Sequence, residues 1–270
     1  MTTTVEIDGY IEQKLDVLVG LGLYATKSEA VRDAVRHLLE SVDILSISVD
    51  MYAKSSASLG FCAEVAGISC DELMIVLQRK GVKPHLGVDE MSQLEAEANI
   101  AAASEALAFE GFSFKRIADL LGGVIFSGRP WPTYLAQAQL DELDFELRRV
   151  VLARLGMAES GFTLITGLKG IEGVAIENNI SRGEASAILA AEKTKATLVA
   201  DDHKLRTAAV NSGVRVVSSP ALLVCALGRG LITEAEAHEG LERLFSQGYF
   251  MPLSPSELSV KKLSVSILRR

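Results

Sequence analysis

Two acidic features, set one helix and one strand apart, carry the clearest chemical signal in the sequence. Gly183-Glu184-Ala185 opens the run GEASAILAAEKT, whose apolar spacing predicts a helix. The next run, ATLVADD, predicts a short buried strand ending in Asp201 and Asp202. A helix followed by a strand returns the chain to the same edge of a sheet, so all three carboxylates would face one crevice. Carboxylate oxygens are hard donors that suit Mg²⁺ or Mn²⁺, and such ions hold phosphate and activate water for hydrolysis. The same residues also admit a plain structural reading. An acid early in a helix is favoured by the helix dipole, and Asp201 and Asp202 stand where the following helix HKLRTAAVNSG needs a cap.

The elements that would position these acids alternate along residues 98–270. GVIF, FTLITGL, ATLVADD and VRVVSS read as short strands, and LDELDFELRRVVLARLG and EASAILAAEKT as helices, which suits a parallel sheet covered on both faces. The Gly-Glu-Ala and Asp-Asp pieces resemble those of the PIN-domain nucleases, in particular a toxin-like subgroup. So does the strand, helix, Gly-Leu-Ile turn and closing helix of VRVVSSPALLVCALGRGLITEAEAHEGLERLFSQGYF. That resemblance implies a ring of about four acids, the first at the end of an opening strand and the second on a helix after a Val-Ile strand. Aligning AASEALAF (102–109), GFSFKRIADLLGG (111–123) and VIF (124–126) on this plan puts Ala102 in the first position, with Glu105 nearby, and leaves Glu142 for the second. Alanine binds no metal, so the resemblance implies a PIN-like fold with a damaged ring, using Mg²⁺ or Mn²⁺ only if the site still works. Otherwise no cofactor is expected.

The first third has a different layout. TTTVEID alternates polar and apolar residues and predicts a half-buried strand; Ile11, Leu15, Leu18 and Val19 recur at helical spacing. Thr26-Lys27-Ser28-Glu29 is a capping box that opens a second helix with Val31, Ala34, Val35, Leu38 and Leu39 on its inner face. Strand, helix, turn and helix over residues 2–40 resemble the ribbon-helix-helix repressors and antitoxins. The resemblance implies a homodimer whose paired strands enter the major groove, with Thr2, Thr4 and Glu6 facing the bases and Lys27 and Ser28 at the phosphate backbone. Glu6 departs from the basic residue often found there.

Residues 43–97 read as helices: one before a Ser-Leu-Gly turn, a short one ending at Gly67, and one begun by the N-cap Ser69 with Glu72 three positions on. The segment resembles the small antitoxin-like helix-turn-helix proteins that accompany PIN-type toxins, which implies an interaction or structural role ahead of direct base reading, for which the presumed reading helix offers only Gln78, Arg79 and Lys80 near its end.

Charge bears on the partners. Residues 1–97 carry 16 acidic and 8 basic side chains and the rest 19 of each, so the whole net charge of -8 lies in the first third. Tight nonspecific duplex binding ordinarily rests on a basic excess, which this third lacks. The three cysteines, Cys62, Cys70 and Cys225, lack zinc-ligand spacing and read as reduced thiols. The four histidines lack ligand spacing, and Trp131 between two prolines reads as a rigid loop or packing anchor. No leader or membrane-spanning run is evident, so a cytoplasmic location without membrane contact is expected.

These readings combine into an α/β chain of three parts. Residues 1–42 form a ribbon-helix-helix module, 43–97 a helical antitoxin-like segment, and 98–270 a PIN-like three-layer α/β/α domain with a parallel sheet. The expected function is a dimeric transcriptional regulator of antitoxin type that binds an operator and carries an inactive PIN-like domain. The alternatives are a Mg²⁺- or Mn²⁺-dependent ribonuclease using Glu184, Asp201 and Asp202 on RNA, and an assembly scaffold.

Overall fold

The computed structural model describes residues 6–127, 130–141, 143, 148–149, 151, 153, 162–250 and 252. They fall into two compact units, residues 1–47 and residues 48–270.

The first unit contains α1 (Gly9–Gly20) and α2 (Lys27–Ser41). Thr26 caps α2 by accepting the Glu29 amide at 3.1 Å, and Glu29 answers by accepting the Ala25 amide at 2.8 Å. Leu15 and Ala30 are buried. Val35, Leu38 and Leu39, expected on an inner face, are exposed, as is Ile11. Two helices enclose too little apolar surface to bury both of their apolar stripes. The strand expected over TTTVEID lies mostly outside the described residues, and Glu6 to Asp8 have no strand pairing.

The second unit opens with α3 (Ile44–Ala53, whose first turn lies in the first unit), α4 (Leu59–Ala66), α5 (Cys70–Arg79) and α6 (Met91–Ala103). The Ser-Leu-Gly piece, read from sequence as a turn, is the start of a helix instead. Ser58 caps α4 by accepting the Phe61 amide, and Leu59 and Gly60 form its first turn. Gly67, in the left-handed region with φ 69°, ends α4, and Ser69 with Glu72 makes the expected capping box of α5.

Strand β1 (Leu107–Phe109), helix α7 (Gly111–Ser127), strand β2 (Thr133–Ala136), a 3₁₀ turn (Gln137–Asp141) and strand β3 (Phe162–Ile165) follow. Then come α8 (Ile171–Asn178), α9 (Arg182–Thr194), β4 (Thr197–Val199), α10 (His203–Asn211), β5 (Val216–Val217), α11 (Ser219–Gly228) and α12 (Glu234–Ser246). The strands form one parallel sheet in the order β3-β2-β1-β4-β5, with Leu107 opposite Thr133 on one side and Thr197 on the other. The expected parallel α/β/α architecture is therefore present. Alternation along the strands divides the core. Ala108, Leu198 and Val216 pack with Ala185, Ile188, Leu205 and their neighbours from α8, α9 and α10. Phe109 points the other way, edge-on to Phe114 of α7 with ring centroids 5.7 Å apart.

Two expectations fail locally, and one strand was not foreseen. Ala102 does not belong to a strand but to the last turn of α6, where its carbonyl accepts the Arg229 guanidinium. GVIF continues α7, because a short apolar run reads equally as strand or helix and here extends the periodicity before it. Thr133–Ala136, which follows a Pro-Trp-Pro loop, is a strand, since its pairing with β1 outweighs local preference. Trp131 is a buried packing anchor whose indole N–H donates to Ala101 O at 3.1 Å. Most of LDELDFELRRVVLARLG lies outside the described residues. Among the described residues no helix is long and apolar enough to cross a membrane, and the three cysteines form no disulfide.

Candidate functional site

Strand order reverses between β1 and β4, and in open parallel sheets the crevice for a ligand lies at the carboxyl ends of the strands flanking that reversal. Four buried carboxylates gather there: Glu110 directly after β1, Glu184 in the first turn of α9, and Asp201 and Asp202 after β4. Glu184, Asp201 and Asp202 are the residues singled out from sequence. Glu110 was missed. It ends the apolar run LAF and stands just before a helix, the same signal that marks Asp201 after TLV. Glu105, weighed as a substitute for the alanine, is exposed in the turn before β1, and Glu142 lies outside the described residues.

Each carboxylate is held by protein donors. Glu110 accepts the amides of Phe112 at 2.6 Å and Ser113 at 2.8 Å and the Ser113 hydroxyl at 2.9 Å. Glu184 completes a capping box, accepting the Ser181 amide at 2.6 Å while its own amide donates to Ser181 Oγ at 3.0 Å. It also accepts the hydroxyl of Ser58. Asp201 accepts the amide (2.7 Å) and hydroxyl of Ser219 and the phenol of Tyr249 at 3.1 Å. Asp202 caps α10 by accepting the amides of Lys204 at 2.9 Å and Leu205 at 3.1 Å, and its other oxygen accepts the amide of Leu59 at 3.1 Å. Both readings of these acids thus have a place in the structure: they gather at the crevice, and Glu110, Glu184 and Asp202 also bind the free amides at helix starts.

Burial sets the electrostatics. It raises Glu110 to about 7, with the charge of Glu184 adding to the effect. Burial and then the charge of Asp202 raise Glu184 to about 7, against the hydrogen bonds from Ser58 and Ser181. Burial raises Asp202 to about 6, opposed by the amides of Leu205, Leu59 and Lys204. Asp201 is also raised by burial, against the bonds from Ser219. Behind the cluster, Glu97 and Arg206 form a buried ion pair; Glu97 also accepts the Ser218 amide at 2.8 Å, and Arg206 also donates to Ala200 O at 3.1 Å.

A hard divalent ion needs carboxylate oxygens turned toward one point and free to coordinate. Here the oxygens turn toward amides and hydroxyls, and the first turn of α4 stands among them. A β-carbon added to Gly60 would lie 2.7 to 2.9 Å from Cδ and both oxygens of Glu184. Among the described residues no group of three or more His, Cys, Asp and Glu side chains is placed to hold a metal ion. In this arrangement the residues do not fit Mg²⁺ or Mn²⁺. Beside α4 an open cleft of about 750 Å³ runs between Glu64, Asp71, Glu110, Lys115 and Arg182. Its cations are engaged: Lys115 pairs with Asp71 at 2.7 Å and Arg182 with Glu172 at 2.8 Å.

Of the residues expected to meet DNA, Thr2 and Thr4 lie outside the described residues. Glu6 is exposed, and Ser28 is exposed in the first turn of α2. Lys27 is turned to α1, where it pairs with Asp16 at 2.8 Å and Glu12 at 3.1 Å.

A family model described as DUF3368: PIN domain matches residues 162–263, a span that takes in Glu184, Asp201 and Asp202 and leaves out Glu110. Comparison with curated proteins and with solved structures gives no match.

Proposed function

With a PIN domain in its carboxyl-terminal part, we propose that this chain is a homodimeric, DNA-binding regulator of antitoxin type whose PIN domain does not act as a nuclease in the closed arrangement. The observation that carries the reading is the state of the four carboxylates. Each is buried and accepts hydrogen bonds from the protein itself, and a helix start stands where an ion and a phosphate would have to enter. Two-metal hydrolysis needs those oxygens for the ions.

The regulatory half of the reading is supported by the first unit. Ile11 is 62% exposed and Leu38 60% exposed, on helices that bury little else. Apolar stripes left open on so small a unit call for a second copy, and pairing two copies would also bring together their amino-terminal segments, which the ribbon reading requires to pair. Such a dimer would take an operator of two half-sites.

The test uses the full chain. Sedimentation should give an even-numbered oligomer that Leu38→Lys disperses, and a mobility-shift assay should show binding to a palindromic segment upstream of the chain's own gene. A monomer with no preference among DNA segments would remove the regulator reading. The ribonuclease reading is favoured by one observation, the position of Glu110, which supplies an acid at the end of β1 where sequence comparison suggested alanine. It predicts Mn²⁺-dependent cleavage of single-stranded RNA that Asp201→Asn abolishes.

A further inference from the structure

We propose that residues 58–60 are an internal plug: the amino-terminal end of α4 occupies the carboxylate crevice between β1 and β4 and shuts it against ions and phosphates. The inference rests on the PIN-domain reading of the second unit and is independent of DNA recognition by the first.

Three observations combine. The first is electrostatic. A helix start carries partial positive charge and unpaired amides. Here the Leu59 amide donates to Asp202 at 3.1 Å and the Ser58 hydroxyl to Glu184, so α4 supplies from within the chain the positive partner that these acids would otherwise take from a cation. The second is steric. Position 60 meets Glu184 so closely that any side chain would strike its carboxylate, and glycine is the residue present. The third is the manner of attachment. Besides the packing of its buried Leu59, Cys62 and Ala63, the plug is held to the loop before α9 and to the first residue of α9 by a few bonds: the Ser58 amide to Asn179 O at 3.0 Å, the Asn179 side chain to Ser56 O at 3.3 Å, and the Arg182 amide to Glu64 at 3.2 Å. The last two are exposed, and none belongs to the sheet. Lifting α4 would break these ties and expose Leu59, Cys62 and Ala63 but leave the five-stranded ladder intact, and the adjoining cleft gives the opened crevice a path to solvent.

Amide hydrogen exchange on the full chain, with and without Mn²⁺, tests this. A cation that binds only the opened form shifts the population toward it. Mn²⁺ should therefore speed exchange of the amides of residues 58–63 selectively, by roughly ten-fold once its concentration is ten times its dissociation constant for the open form. Ser58→Asp keeps a good helix cap but sets a second charge against Glu184. It should speed the same amides without Mn²⁺ and show calorimetric Mn²⁺ binding at least ten-fold tighter than the wild type. Unchanged or slowed exchange of these amides in wild-type protein with Mn²⁺ overturns the plug, as does a Ser58→Asp protein that opens without gaining Mn²⁺ affinity. Should Ser58→Asp fail to fold, the wild-type measurement decides alone. Failure to find an operator would strike the regulator reading and leave these outcomes unaffected.

Discussion

Gly60 and Glu184, 124 positions apart in sequence, touch: the bare Cα of the glycine faces the carboxylate, and a methyl group there would fall 2.7 Å from Cδ. Glu184 has little room to yield, because Ser58 and Ser181 hold its carboxylate in a buried place. Gly60→Ala should cost about 1–3 kcal/mol, the usual range for overpacking, and lower the Tm of the second unit by several degrees. Gly173→Ala is the control. It lies within α8 with open space around it, and the same change should be neutral or stabilising by about 0.5–1 kcal/mol. Equal thermal midpoints for both variants would mean that α4 does not seat against Glu184.

The buried pair of Glu97 and Arg206 ties α6 to α10 behind the cluster. Among the described residues, Arg206→Ala leaves Glu97 buried with only the Ser218 amide and the Gln93 side chain as donors, and should cost roughly 3–5 kcal/mol in urea unfolding. Replacing both, as Glu97→Leu with Arg206→Met, should recover most of that loss, because neither charge then needs solvation. A double variant as unstable as the single one would show that the pair acts mainly through its packing.

Stability of the second unit should fall as pH rises from about 4.5 to about 7. Glu110 and Glu184 are raised from 4.5 to about 7 and Asp202 from 3.8 to about 6, so across that window the folded chain keeps protons that the unfolded chain releases. Their contribution is complete below the unfolded values and is lost as pH passes through the folded ones. Asp71, held below its ordinary value by Lys115 and Arg116 despite desolvation, works the other way and weakens the fold at lower pH. Thermal midpoints at pH 5 and pH 8 check the sign; Glu184→Gln should flatten the slope, and a midpoint that climbs steadily toward pH 8 would contradict it.

Lys27 is drawn to Asp16 and Glu12, so a phosphate must compete with two carboxylates for it. If the first unit binds an operator as proposed, Asp16→Asn with Glu12→Gln should raise operator affinity and steepen its salt dependence, whereas Lys27→Ala should weaken binding evenly across DNA sequences. Thr4→Ala should reduce discrimination between operator and random DNA more than overall affinity. Competition binding at two salt concentrations separates these effects. If all three leave the preference for the operator unchanged, the ribbon does not read bases.

What the sequence determines by itself is local and periodic. Thr26 and Ser69 each sit three positions before a glutamate, and each caps the helix expected from it. Runs such as ATLV and VRVV contain the strands Thr197–Val199 and Val216–Val217, and the repeat of these units dictates a parallel sheet, because a strand followed by a helix can only return parallel at such short range. Glu184, Asp201 and Asp202 could be grouped on that ground alone. What the tertiary structure decided depends on contacts between distant parts of the chain. Whether Thr133–Ala136 became a strand and GVIF a helix rested on what lay beside them, since runs of four residues suit either state. Glu110 joined the cluster, and Ala102 left it, because the end of β1 was set by pairing with β2 and β4. The crevice itself was closed by Ser58, Leu59 and Gly60, which no spacing links to Glu184 or Asp202. Docking of a helix start on buried carboxylates is a matter of charge and shape across space, and neither leaves a periodic trace along the chain.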